Sequence, residues 1–218
     1  MFINFLKAGK SGMDITERRA KLREALIDAA DEAIGRDGLS ALKARALAEA
    51  AGCAVGAIYN VFPDLDALIY EVNARTLKRL DATLGAGLPA DDPEAAMQAL
   101  ALGYHRFSRA DSRHWRAVFA HQIPDGAVPP DWYLGLVGRL FRHIEEPLAT
   151  LLPHLDGQIR QSLARTLFSA VHGIVSIGLE EKLGSTPDEI IARGLKLMVR
   201  AWVAGLPVAT APRPAIRP

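Results

Sequence analysis

The chain has 218 residues, half of them hydrophobic, with a formal net charge of +1 and a single cysteine. That length suits one domain or two small ones with a real core; the near-neutral charge advertises neither nucleic acid nor membrane, and Cys53 alone excludes an internal disulfide, which fits a reducing compartment. The opening MFINFLKAGKSGM holds too short an apolar patch for a secretory signal, and the longest nearly apolar run, LFSAVHGIVSIGL, has 13 residues, too few to span a bilayer, so a cytoplasmic chain without a membrane partner is expected.

No segment alternates with period two, whereas apolar spacings of three and four recur nearly throughout, so the expected class is all-α, with about nine helices. The first dozen residues are expected to be mobile, within an arm over 1–15, and both Met1 and Met13 offer a translation start. A first helix is predicted over 16–36, with Thr16 as its cap and Leu22, Leu26, Ile27, Ala30, Ala33 and Ile34 on one face. Gly38 in RDGLS ends it by taking a left-handed conformation. Short helices at about 42–51 and 54–61 follow. Pro63 disfavours helix at Phe62, and Asp64 caps a helix to about residue 84. GAGLPADDP is a loop. Longer helices are predicted at 92–109, 112–121, 130–152, 156–182 and 186–204, with Pro187 at the front of the last and Thr186 or Ser185 as its cap. The proline-rich end is expected to be disordered. The chain thus divides into the arm, a three-helix unit over 16–63, a larger helical domain over 64–205 and a tail over 206–218.

The stretch ALAEAAGCAVGAIYNVF, residues 46–62, packs small residues densely around two glycines. Leu47 and Ala51 point inward, Ala48 is small where the next helix crosses, Gly52 supplies positive φ at the turn, and Ile58 and Val61 return to the core. That order is the pattern of a helix-turn-helix, in which small residues let two backbones nest and leave the second helix on the surface. An ordinary helical hairpin shares the apolar spacing. If the unit binds DNA, the second helix enters the major groove by its front end, Ala54, Val55, Gly56 and Ala57. These residues offer no bidentate hydrogen bonds to bases, but allow close approach to thymine methyls and phosphate. Asn60 offers a base or phosphate contact, or a helix cap. Lys43 and Arg45, which open the preceding helix, are the charged candidates for phosphate or base edges, or are simply solvated. Arg18, Arg19 and Arg23 belong to a local excess of three positive charges over residues 1–24 and are placed to reach flanking phosphates.

Residues 26–69 resemble the DNA-binding domain of the TetR family of one-component regulators. The resemblance rests on Gly38, Leu47-Ala48, Ala51-Gly52, Gly56-Ala57-Ile58-Tyr59, Phe62 and Leu68. It implies an N-terminal helix-turn-helix, a helical C-terminal domain that binds a small ligand and dimerises, and usually repression. It also implies that Tyr59 directs its hydroxyl at a phosphate. Two positions depart from the family pattern. Lys43 stands where a capping threonine is common, so Ser40 is expected to take over the cap, and Leu65 stands where a phosphate-binding lysine is common. The segment FSAVHGIVSIGL resembles the C-terminal domain type marked by Trp-His-Gly, although this chain reads Val171-His172-Gly173.

From Leu167 to Leu179 the helix is apolar nearly all round, and the last helix is apolar on more than one face. Gly173 and Gly178 inside the former point to close helix approach. A four-helix dimer interface follows, with Phe168, Val171, Val175, Leu179, Ile191, Leu195, Met198 and Trp202 as its candidates; one large monomeric core is the alternative. Candidates to line a ligand pocket are Tyr104, His105, Phe107, Trp115, Phe119, His121, Trp132, Phe141 and His172, with Pro124-Asp125-Gly126 and Pro129-Pro130 as a gating loop. His105, His114 and His121 lack acidic partners at metal spacing, and no cofactor is expected. Ser169 and His172 lack an orienting acid, and no nucleophile elbow or phosphate loop is present, so the chain does not read as an enzyme. The expectation is a homodimeric regulator, usually a repressor, on a palindromic operator, released by a small, mostly apolar ligand. The alternatives are a helical small-molecule-binding protein without DNA binding, or an enzyme.

Overall fold

The computed structural model describes residues 14–123, 126–180, 182 and 184–210, and among these the chain is all-α, with nine α-helices and one 3-10 turn. It divides into two compact units, and the division falls between Val72 and Asn73. That is later than the predicted 63/64, because the first part of the fourth helix clusters with the N-terminal unit.

In the N-terminal unit, α1 (Ile15–Asp37) buries Leu26, Ile27, Ala30 and Ile34, a stripe with helical spacing. Thr16 lies inside this helix rather than capping it; Asp14 precedes it and makes no side-chain capping bond. Gly38 ends α1 at φ 81°, ψ 176°, with its N–H bonded to the Ile34 carbonyl. A 3-10 turn (Leu39–Ala41) leads to α2 (Ala44–Ala50), α3 (Val55–Tyr59) and α4 (Leu65–Gly85). Leu26, Ile34 and Ile58 are fully buried, and each such side chain is worth about 1.5–3 kcal/mol of apolar burial. At the end of α2 the Gly52 N–H bonds the Glu49 carbonyl and the Cys53 N–H bonds the Ala48 carbonyl, which satisfies the last carbonyls through a left-handed glycine at φ 64°. The Asp64 carboxylate accepts the Ala67 N–H at 2.7 Å, as a cap for α4 should.

The second unit holds the rest of α4 with α5 (Pro93–Ala110), α6 (Ser112–Ala120), α7 (Asp131–Leu151), α8 (Gly157–Gly178) and α9 (Asp188–Ala209). Asp92 caps α5 through the Ala95 N–H, with Pro93 at the first helical position, and Asp156 caps α8 through the Gln158 N–H. Helix α5 packs against α6, α7, α8 and α9, and α8 packs against α7 and α9. Leu148, Val175, Leu195 and Val199 sit at the centre of the resulting core, with no exposed surface.

Three ends differ from the sequence reading. Helix α8 stops at Gly178 instead of running to 182; a Cβ at Gly178 would lie 2.7 Å from Ile191 Cδ1, so α9 is held close to this end. Pro187 occupies the cap position of α9 rather than its first turn, and neither Thr186 nor Ser185 caps it. The Thr186 N–H instead bonds the Gly178 carbonyl at 3.0 Å. Helix α9 continues past 204, through Pro207, to Ala209. Leu206, 4% exposed, adds a buried contact in that last turn, which offsets the hydrogen bond that Pro207 cannot donate. The remainder of the expected tail, 211–218, and the first 13 residues of the expected arm lie outside the described residues.

The turn glycines give a direct test. A Cβ at Gly38 or Gly52 would meet nothing within 4 Å, so any cost of alanine there comes from backbone conformation alone. The Gly38 dihedrals fall in a region essentially reserved for glycine, and Gly38→Ala is expected to cost about 1–3 kcal/mol. Gly52→Ala, in the left-handed helical region, is expected to cost about 1–2 kcal/mol. Urea unfolding of the two variants beside the parent chain checks both values and their order.

Candidate functional site

The α2–turn–α3 unit presents a small, polar-poor tip. Leu47, Ala48 and Ile58 are buried and hold the two short helices together. Ala54, Val55 and Gly56 at the front of α3 are exposed, with Ala57 half-buried behind them. Tyr59 is 51% exposed, so it is not a core aromatic, and Asn60 next to it is exposed as well. Lys43 holds the cap position of α2 and Arg45 follows in its first turn, both exposed. The expected cap from Ser40 is not made: Ser40 lies in the 3-10 turn, and α2 begins without a side-chain capping bond.

Of the three arginines placed for phosphate, Arg18 and Arg19 are exposed on the first turns of α1. Arg23 is committed elsewhere. Its guanidinium pairs with Glu71 of α4, lies 3.5 Å from Glu24 and sits over the Phe62 ring at 5.3 Å. Within this unit Arg23 is therefore a strut between α1 and α4, and its reading as a phosphate contact gives way to that role.

The second unit holds a partly open cavity of about 140 Å³. Leu77, Leu80 and Leu84 of α4 form one wall, and α5 contributes a stripe at helical spacing, Met97, Leu100, Ala101 and Tyr104. Val137, Leu140, Phe141 and Ile144 repeat that spacing on α7, and Val118 with Phe119, then Leu167, Phe168 and Val171, close it from α6 and α8. Of the nine predicted ligand residues, Tyr104, Phe119 and Phe141 face the cavity. Trp115 and His172 stand behind Tyr104: the Trp115 indole N–H donates to Tyr104 Oη at 2.9 Å, and Tyr104 Oη lies 2.7 Å from His172 Nδ1. Burial pushes the Tyr104 phenol well above its usual pKa and the His172 imidazole below its own, so both favour the neutral form.

The other four are not brought to the cavity. His105 is buried but turned to α9, with Nε2 3.4 Å from Asp188, which also meets Arg109 at 3.2 Å. Phe107 lies one turn beyond Tyr104 in the core. His121 follows the end of α6, and Trp132 is 46% exposed at the start of α7, stacked edge-on to Tyr133. The aromatic bias of the prediction passed over the aliphatic majority of the wall; the repeated i, i+3, i+4, i+7 stripe on α5 and α7 was the signal that could have found it. Part of the expected gate, Pro124 and Asp125, lies outside the described residues.

The predicted interface residues are mostly internal. Val171, Val175, Leu179, Ile191 and Leu195 are buried in their own chain's core, and Phe168 faces the cavity. Met198 and Trp202 pack partly buried against that core. The apolar residues left outside are on the neighbouring stripes: Ile177, Ile190 and Leu197 are 61%, 57% and 68% exposed. Ala170, Gly173 and Ile174 of α8 and Gly194 of α9 line a shallow hollow between them. Gly173 and Gly194 have no atom within 4 Å of the place a Cβ would take. The two helices do carry two apolar faces each, and the face named for an interface is the one that packs mostly within its own chain. Among the described residues, no group of three or more His, Cys, Asp or Glu side chains is placed to hold a metal ion, and no helix is long and apolar enough to cross a membrane.

Comparison with known proteins matches both units. A model described as bacterial regulatory proteins, tetR family, matches residues 26–72, and one described as tetracyclin repressor-like, C-terminal domain, matches residues 97–202. The latter description says nothing of a Trp-His-Gly type. A solved protein of unknown function from Rhodococcus sp. RHA1 is similar at 21% identity and a TM-score of 0.64, over 89% of this chain and 98% of that one. RolR, solved in complex with resorcinol, is similar at 22% identity and a TM-score of 0.62, over 93% and 100%. PfmR, a TetR family transcriptional regulator from Thermus thermophilus, is similar at 17% identity and a TM-score of 0.57, over 80% and 97%. At these identities the likeness is one of fold. No curated protein matches the chain.

His172 is expected to make the second unit pH-sensitive. Its pKa is lowered in the folded chain, so the unfolded chain binds the proton first as pH falls below about 6.5. Stability is expected to be flat through this group above that pH and to fall as the pH drops from there toward the lower folded pKa. Urea midpoints between pH 7.5 and 5 should show the decline. His172→Gln, which keeps an acceptor but does not titrate, is expected to make it shallower.

Proposed function

The chain belongs to the TetR family of bacterial regulatory proteins, with a DNA-binding and a ligand-binding domain, and we propose that it is a cytoplasmic, non-catalytic repressor that holds a palindromic operator as a homodimer and is released by a small, mostly apolar ligand. One observation carries the reading. The helix that begins in the DNA-binding unit is the helix whose Leu77, Leu80 and Leu84 form a wall of the apolar cavity. A ligand that fills the cavity presses on α4 directly. It shifts operator affinity by as much as it favours one setting of α4 over the other, and no further.

At the operator end, the exposed front of α3 offers close backbone approach and methyl contacts, while Lys43, Arg45 and the Tyr59 hydroxyl supply the phosphate contacts. Few cations are available once Arg23 is paired, so affinity rests on two linked half-sites. The second copy is supplied by α8 and α9: Ile177, Ile190 and Leu197 are large apolar side chains left in water, and the uncovered glycines Gly173 and Gly194 beside them permit close approach of a facing helix pair. Two recognition helices then meet half-sites about 34 Å apart.

Selection from random DNA with the full chain is expected to return a palindrome, and the absence of any enriched site refutes the reading. On the selected site, Lys43→Ala is expected to weaken binding and to flatten the slope of log affinity against log salt by about 0.9, as one lost phosphate contact does. Ile177→Glu is expected to sediment as a monomer and to lose operator binding together with the dimer.

A further inference from the structure

The cavity is uniform hydrocarbon except at one point. Of the side chains that face it, only Tyr104 carries a nitrogen or oxygen. A phenol oxygen has one hydrogen to donate and two lone pairs to accept with. Trp115, whose indole is a donor only, takes one lone pair. Toward His172 Nδ1, 2.7 Å away, the phenol is the more acidic partner and the imidazole nitrogen the more basic one, so Tyr104 donates its hydrogen there. That leaves the neutral imidazole with its own hydrogen on Nε2. One lone pair of Tyr104 Oη is then unspent, and nothing else on that oxygen can serve a ligand.

The consequence is a selectivity in sign as well as in polarity. A group that only accepts would bring its lone pairs against those of Tyr104. A carboxylate or ammonium would leave water for a wall without a countercharge. Volume sets the size: a dry apolar cavity of about 150 Å³ holds benzene, and this one is about 140 Å³.

We propose that the effector is a neutral compound the size of a single ring, bearing a hydroxyl or N–H that donates to Tyr104, as a simple phenol does. This rests on the cavity being the effector site, as argued above, and the test separates the two claims. Phenol, toluene, benzonitrile and benzoate are titrated calorimetrically into the full-length chain and into Tyr104→Phe and His172→Phe. Toluene reports the cavity itself, and the affinity of phenol relative to toluene reports the hydrogen bond free of the difference in their hydration. In Tyr104→Phe the phenol-to-toluene affinity ratio is expected to fall about tenfold, with toluene binding kept. In His172→Phe the freed phenol hydrogen turns to the cavity, and the benzonitrile-to-toluene ratio is expected to rise severalfold. A ratio unchanged in both variants overturns the donor assignment and leaves the cavity as a ligand site. Benzoate binding the parent chain more tightly than phenol overturns it too. If no ring binds the parent chain, both this inference and the ligand-site reading fail together.

Discussion

Side chains leave an α-helix about every 100°, so a chain built only of helices must find cover for each apolar stripe it carries. That constraint organises the second unit. Helix α5 is covered on several sides at once: Met97, Leu100, Ala101 and Tyr104 look into the cavity, while His105 looks toward α9. Helix α8 has the same problem in sharper form. Its residues 164 and 175 fill the core, Leu167, Phe168 and Val171 turn to the cavity, and 170, 173 and 177 lie on the remaining face, with Ile174 partly buried at its edge. The cavity, the core and the uncovered face are three answers to one distribution of apolar residues.

Much of this was legible in the sequence because local rules decide it. Asp64 precedes α4 and caps it, since a short carboxylate reaches orphan N–H groups where the chain enters a helix; Asp92 and Asp156, which the sequence reading placed inside helices, are caps as well, whereas Thr16 and Ser40 are not. Gly38 and Gly52 take positive φ where two helices must end abruptly. The nesting of α2 and α3 follows from Ala48 and Gly52 for the same reason. What sequence could not give is which neighbour claims a given stripe. Val171, Val175 and Ile177 are interchangeable in hydrophobicity, and only the position of α9 and α5 makes the first two internal. Arg23 failed for a similar reason: Glu71 lies far along the chain, and no local spacing announces their pairing. The cavity wall was missed through weight given to aromatics, when seven of its leucine, isoleucine and valine residues sit on stripes of α4, α5 and α7 that the helical period already marks.

The sequestering of Arg23 changes the character of the DNA-binding unit. With that guanidinium spent on Glu71 and Phe62, the exposed face near α3 offers alanine, valine and glycine flanked by Lys43 and Arg45. The front of α3 itself carries no side chain that reads guanine or adenine by paired hydrogen bonds. On the proposed reading, selectivity would come from fit against methyl groups and from the spacing of two copies, and the course of α4 would matter more than in a protein anchored by many charges.

The polar pair at the cavity has a cost that explains its surroundings. A phenol and an imidazole inside an aromatic cluster lose their water, and each unmet valence there would destabilise the fold by roughly 1–3 kcal/mol. Trp115 and His172 meet all but one of Tyr104's valences, while Phe119, 4.3 Å from the His172 ring by centroid, and Phe168, 5.6 Å from the Tyr104 ring, complete the aromatic cluster. The bonds tie α5, α6 and α8 together through Tyr104, the one lining residue whose side chain carries nitrogen or oxygen. A ligand that completes that last valence therefore does more than fill space. On the proposed reading it would favour one arrangement of three helices that line the same cavity as α4, and so would act on the helix shared with the DNA-binding unit.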